Sequence, residues 1–304
     1  MDTRPITAAR LASSVIAVPP LARDAQGKVS REENRKIVRH IEAGGVDILL
    51  YGGNANFYHL RPSEYRETLA LLAEIAAAGT LVVPSVGPAY GLSMDQAEIA
   101  REFDFPTVMV LPHTGIQTYD GVEQGLRDFA KAYGKPIVLY IKAEGYITPA
   151  GAARLVAEGL ISWIKYAIVR DAPENDPFLS ELMQKVDPNL VVSGIGEQPA
   201  IVHLDHFKCG GFTSGCVCVN PALSRQMHAA IKSGDLALAD KIRGLFRPLE
   251  DLRNGINPIR VLHEAVEGAG IAATGKLQPL LSGLTASERS EVAAAATALR
   301  AATL

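Results

Sequence analysis

Lys165 interrupts the apolar run Ile161-Ser162-Trp163-Ile164-Lys165-Tyr166-Ala167-Ile168-Val169, which otherwise has the composition of a buried strand. Withdrawal from water disfavours the ammonium, so the pKa of such a lysine falls and free amine is present near neutral pH. Free amine attacks a carbonyl carbon to form a Schiff base. A structural lysine whose head meets a carboxylate or escapes at the strand end is an equal reading of this residue alone. In Val138-Leu139-Tyr140-Ile141-Lys142, Tyr140 offers a phenol that can shuttle protons during imine chemistry or simply pack in a wall. Lys142 shares its strand face, because strand side chains alternate. It reads as a rival amine, a cation for a substrate carboxylate, or a solvated strand-end lysine.

Other polar positions carry weaker signals. Tyr51-Gly52-Gly53-Asn54-Ala55-Asn56 places backbone amides at two glycines beside neutral amide side chains, which suits a carboxylate cradle and equally suits a glycine turn with Asx hydrogen bonds. His113, in Leu111-Pro112-His113-Thr114, could do acid–base work but has no identifiable partner. Ser193-Gly194 and Thr213-Ser214-Gly215 are small and suited to backbone contacts with a ligand. Neither serine lies in a G-x-S-x-G elbow, which argues against a serine hydrolase. Cys209, Cys216 and Cys218 lack zinc-site spacing, so no metal is expected. Cys216 and Cys218 are expected on one face of a strand as small buried thiols.

Positioning these residues requires a rhythm of elements, and the chain supplies one. Short β-branched runs fall at Ser14–Pro19, Asp47–Gly53, Leu81–Gly87, Thr107–Pro112, Pro136–Ile141, Ser162–Ala167, Asn189–Ile195 and Gly211–Val217. Helix-period segments lie between them, near Arg31–Ala43, Ser63–Ala78, Ser93–Phe103, Gly121–Tyr133, Pro149–Glu158, Asp176–Lys185 and Gln198–His206. Strand and helix alternating in this way predict an α/β fold, a (β/α)8 TIM barrel with appended C-terminal helices. A doubly wound open sheet is the rival, but its glycine fingerprint is missing and the first connection is the long Pro20–Ser30 segment. The expected division is a barrel over residues 1–230 and a C-terminal helical region over 231–304, which would cover a barrel face or make a subunit contact. In such barrels the site lies at the carboxyl ends of the strands and the loops that follow, which is where the candidate site residues Lys165, Tyr140, Lys142, Gly53, Asn54 and His113 are expected.

Composition narrows the partners. The 304 residues are 48% hydrophobic and 21% charged with a net charge of -3, which leaves no electrostatic footprint for nucleic acid or anionic membrane. No apolar run is long enough for a membrane span. Met1-Asp2-Thr3-Arg4-Pro5 and the broken stretch after it lack a signal core, so a cytoplasmic protein acting on a small molecule without a cofactor is expected.

The residues also assemble into a resemblance. Gly45-Val46-Asp47-Ile48 leading into Tyr51-Gly52-Gly53-Asn54-Ala55-Asn56, with Leu60 and Ser63-Glu64, is similar to the G-T-T-G-E…L…E signature of the dihydrodipicolinate synthase and N-acetylneuraminate lyase family of class I aldolases. Val138-Leu139-Tyr140 resembles its L-Y-N strand, Trp163-Ile164-Lys165-Tyr166-Ala167 its G-[IL]-K-[ED]-[AS] strand, and Gly211 to Pro221 its glycine-rich eighth strand. The likeness covers nearly the whole chain. It implies a barrel with C-terminal helices, usually a homotetramer, with a dimer as the other expected assembly. Lys165 would form an imine with pyruvate or another 2-oxo acid, and Tyr140 would relay protons. Gly53 and Asn54, standing at the two threonines, would line the carboxylate end of the keto acid, with Gly52 and Gly215 beside it.

Departures from the pattern redirect the expected substrate. Gly53 and Asn54 replace both signature threonines, and Asn56 stands at the glutamate. Gly145 occupies the place of an arginine, and His113-Thr114 the place of a tyrosine pair, that the synthases carry. Tyr140 to Thr148 looks more like the Y-N-R-D-N segment of keto-deoxy-sugar-acid dehydratases, with Lys142 where an arginine would meet a distal carboxylate. The expected activity is a Schiff-base lyase, aldolase or dehydratase, on a 2-oxo acid such as a keto-deoxy sugar acid. The alternatives are dihydrodipicolinate synthase itself, a non-catalytic keto-acid-binding member, or an unrelated barrel enzyme using His113.

Overall fold

The computed structural model describes all 304 residues. Its strands are Ile16–Ala17, Ile48–Leu50, a third run split into Leu81–Val83 and Ser85–Val86, Met109–Val110, Ile137–Ile141, Ile161–Tyr166, Val191–Ser193 and Gly211–Ser214. Every pairing is parallel. Pro84 interrupts the third strand because it has no amide hydrogen to give the ladder. Tyr51 N–H bonds Val83 O on one side at 2.9 Å, and Met109 N–H bonds Pro84 O on the other at 2.8 Å. One extended run therefore joins the second strand to the fourth, and the sheet closes on itself.

Helices α2 (Arg31–Ala43), α3 (Pro62–Ile75), α4 (Tyr90–Ala100), α5 (Tyr119–Tyr133), α6 (Pro149–Ala157) and α7 (Pro177–Lys185) fill the successive crossovers, and the short α1 (Ala8–Leu11) precedes the first strand. Local chemistry starts them: Ser30, Thr118, Thr148 and Asp176 each accept a first-turn amide. Helix α2 buries Ile37, Val38 and Ile41 along one stripe, the period expected of a helix packed on a sheet.

Two expected elements take another form. The helix expected over Gln198–His206 forms from Ala200, but most of it, Val202–His206, is π-helical. Glu197 N–H donates to Glu250 Oε1 at 2.9 Å, which ties the start of that connection to a later helix. The eighth strand ends at Ser214 and a 3-10 turn, Cys216–Cys218, follows. Ser214 Oγ accepts Val217 N–H at 3.0 Å and turns the chain there. The two cysteines are buried thiols on that turn, not on a strand face.

Helix α8 (Pro221–Ser233) completes the last crossover, and α9 (Leu236–Gly255), α10 (Pro258–Gly268) and α11 (Ala286–Ala301) follow it. The α9–α10 junction lies at the carboxyl mouth of the barrel, since Arg253, Asn257 and Ile259 share a cavity wall with strand-end residues. No helix is long and apolar enough to cross a membrane.

Candidate active site

A cavity of about 250 Å³ opens at the carboxyl ends of the strands and is lined by Lys165, Tyr140, Lys142, Gly53, Asn54 and Gly215. Strand alternation delivers them. On the sixth strand Trp163, Lys165 and the following Ala167 share the inward face; on the fifth, Val138, Tyr140 and the following Lys142 do the same. The register pairs Val138 with Trp163 and Tyr140 with Lys165. Trp163 is fully buried one step below the lysine, so the amine stands on an apolar floor.

Lys165 is 5% exposed, and its Nζ lies 4.4 Å from the centroid of the Tyr140 ring. Burial, with the charges of Lys142 and Arg253 adding to it, brings its pKa down to about 7. No carboxylate lines the cavity, whereas three cations, Lys142, Lys165 and Arg253, do. An anion is the ligand such a wall favours. Burial pushes the Tyr140 phenol up, so near neutrality it is a neutral donor and acceptor, able to pass a proton without first losing one.

At the end of the second strand, Asn54 donates Nδ2–H to Val18 O at 2.9 Å, and its own carbonyl meets His263 Nε2 at 3.1 Å. Burial lowers the His263 pKa to about 4, so this contact uses the neutral ring as donor. Helix α10 thereby fixes the loop carrying Gly53 and Asn54. Gly52 does not line the cavity: a Cβ there would lie 2.6 Å from Met109 Cε, so it serves close packing beneath the loop. Asn56 adopts φ 57° and keeps both polar side-chain atoms buried without partners.

Gly194 has a tighter requirement, since a Cβ at that position would stand 2.8 Å from Ala167 Cβ and 3.0 Å from Lys165 Cε. Substitution Gly194→Ala is expected to destabilise the protein by about 1–3 kcal/mol through overpacking and to displace the amine. Thermal unfolding and carbonyl trapping read the two effects. A variant with unchanged trapping would show that the lysine position is not set by this contact.

Arg253 is a charged cavity residue that strand-by-strand reading misses, one of several contributed by the α9–α10 junction. It stands on α9 with Ala239, Ile242, Phe246, Leu249 and Glu250 along the buried face. A charge on an apolar helical stripe was the available signal. Around it, Glu197 accepts Ser214 Oγ at 2.6 Å and Ser224 Oγ at 2.7 Å, and Arg253 Nη1 lies 3.7 Å from Glu250 Oε1. Burial pushes both carboxyls up.

Two other groups stand apart from the cavity. His113 is half-buried with Nδ1 unpartnered. Ser193 is wholly buried, with its hydroxyl 2.8 Å from His203 Nδ1, so this pair packs behind the strand. No group of His, Cys, Asp and Glu residues is arranged to hold a metal ion.

Residues 12–299 match the model of the dihydrodipicolinate synthetase family. The chain belongs to that family. Among curated relatives, it is 23% identical over 271 residues to a probable 5-dehydro-4-deoxyglucarate dehydratase of Streptomyces avermitilis, covering 83% of this chain and 82% of the relative. It is 22% identical over 229 residues to a 4-hydroxy-tetrahydrodipicolinate synthase of Corynebacterium diphtheriae, covering 74% of each. Dihydrodipicolinate synthase from Bacillus clausii superposes with a TM-score of 0.84 at 24% identity, over 95% of this chain and 98% of that one. YagE of E. coli K12, a prophage protein solved in complex with pyruvate, gives 0.82 at 17% identity, over 94% and 98%. These superpositions support the fold.

Proposed function

We propose that the protein is a Schiff-base-forming lyase acting on a 2-oxo acid, with a keto-deoxy sugar acid as the favoured substrate and loss of water as the favoured reaction. The observation that carries the proposal is a buried amine with a pKa near 7, stacked beside a phenol in a cavity walled by cations and no carboxylates. Lys165 Nζ attacks C2, the carbinolamine loses water, and the resulting iminium takes up the electron pair released when C3 gives its proton. The enamine returns that pair to expel the C4 hydroxyl, which leaves as water once protonated, and hydrolysis frees the amine. Tyr140 carries the protons between these positions. Gly53 and Asn54 border the carboxylate end, Gly215 faces them, and Lys142, exposed and 5.5 Å from the Tyr58 ring centroid, reaches a distal acid group.

The similarity to a 5-dehydro-4-deoxyglucarate dehydratase favours dehydration, and the absent synthase positions at Gly145 and Thr114 speak against condensation in lysine synthesis. Residues 1–230 as the barrel and 231–304 as an added helical region remain the division we favour. Ile116 and Tyr119, exposed at 95% and 45% after the fourth strand, support assembly into a homo-oligomer through that edge.

Borohydride trapping tests the reading. Incubation with pyruvate or a keto-deoxy sugar acid followed by reduction is expected to add one reduced ligand to the peptide containing Lys165. An unmodified protein, or an adduct on another lysine, would refute it. The trapping rate is expected to rise about tenfold between pH ~6 and ~8 and then level off, because an amine of pKa near 7 is by then largely unprotonated. An ordinary lysine would continue to gain about tenfold per unit up to roughly pH 10.

A further inference from the structure

We propose that Arg253 anchors the carboxylate adjacent to the reacting carbonyl, taking over with a guanidinium the role of hydroxyls that Gly53 and Asn54 do not possess. This assignment rests on the Schiff-base reading above. Gly53 has no side chain, and the Asn54 amide gives one of its two N–H groups to Val18 O at 2.9 Å, so the loop after the second strand offers an anion no hydroxyl and at most one side-chain N–H beyond its backbone amides. Arg253 supplies what is missing. It is 8% exposed, lines the cavity, and leaves Nε and Nη1 without an acceptor. Buried donors left unpaired are costly, and a carboxylate bridging Nη2 and one of these two nitrogens, a single edge of the planar guanidinium, is the ligand that satisfies one of them.

Gly215 fixes the location. A Cβ there would lie 2.9 Å from Asn54 Nδ2 and 3.6 Å from Arg253 Cζ, so the amide of the carboxylate loop and the guanidinium converge on one glycine. The neighbouring acids do not claim the fork. Both Glu197 oxygens accept serine hydroxyls, and Glu250 Oε1 accepts the Glu197 amide while standing 3.7 Å from Arg253 Nη1. Burial also favours the protonated form of Glu250, leaving the guanidinium charge for a ligand.

The experiment compares half-saturation for borohydride trapping by pyruvate and by pyruvamide, its uncharged amide, in the wild type, Arg253→Met and Arg253→Lys. The methionine variant is expected to need about 30-fold more pyruvate with pyruvamide unchanged within about threefold, and the lysine variant to recover part of the loss. Equal weakening toward both ligands, the signature of a merely structural arginine, or an unchanged preference for pyruvate would overturn the assignment. A wild type that forms no adduct would overturn the Schiff-base reading as well, whereas an adduct indifferent to Arg253 overturns this inference alone. Should the variants not fold, a crystal of the reduced wild-type adduct decides. The carboxylate is expected within about 3.2 Å of the Arg253 nitrogens, and a carboxylate held only by the amides of the Gly53 loop would refute it.

Discussion

Replacing Lys165 with methionine is expected to abolish borohydride-dependent labelling, to lower turnover by about 10,000-fold or more, and to make the protein more stable. Loss of activity follows because Lys142, the other cavity lysine, is exposed and lies away from the apolar floor formed by Trp163. The gain in stability follows from linkage. The folded pKa is about 7 against about 10.4 for a free lysine, so between those values the unfolded chain binds more protons and wild-type stability rises with pH. Below pH ~7 the ammonium is buried at full cost, on the order of 5 kcal/mol at most; above pH ~10.5 the cost is gone. Methionine has similar volume and no charge, so its advantage should be largest near pH ~6 and vanish near pH ~10. Denaturant unfolding at the two pH values measures this. A variant less stable than wild type at the lower value would mean that the amine is solvated or paired.

Replacing Tyr140 with phenylalanine separates proton transfer from packing. The ring that lies 4.4 Å from Lys165 Nζ is retained and the hydroxyl is lost. Stability is expected to change by less than about 1 kcal/mol, while adduct formation slows about 100- to 1,000-fold and the trapped product still maps to Lys165. Stopped-flow trapping with peptide mapping gives both readouts. A phenylalanine variant that forms the adduct at the wild-type rate would leave Tyr140 only a packing role.

These expectations draw unequally on sequence and on structure. The alternation of β-branched runs with helical segments was legible because each element carries its own period and its own start signal, such as Ser30 ahead of α2 and Thr148 ahead of α6. Lys165 and Tyr140 were legible because a strand's two-residue period states which neighbours share a face. The turn at Cys216–Cys218 was not, since it rests on a side-chain hydrogen bond, Val217 N–H to Ser214 Oγ, that strand periodicity does not register; nor was the π-helical pitch of Val202–His206, which the helical period leaves open.

The sequence by itself determined the barrel order, the strand that holds the amine and the strand that holds the phenol, because these follow from short-range periodicity. Only the tertiary structure decided how far the amine is desolvated, that Gly52 packs against Met109 instead of lining the cavity, and that Arg253 enters the site, and His263 braces its loop, from helices that follow the barrel. Those outcomes depend on which distant segments meet. Burial and electrostatic coupling are properties of the space between elements, and a one-dimensional pattern records the faces of each element without recording what closes over them.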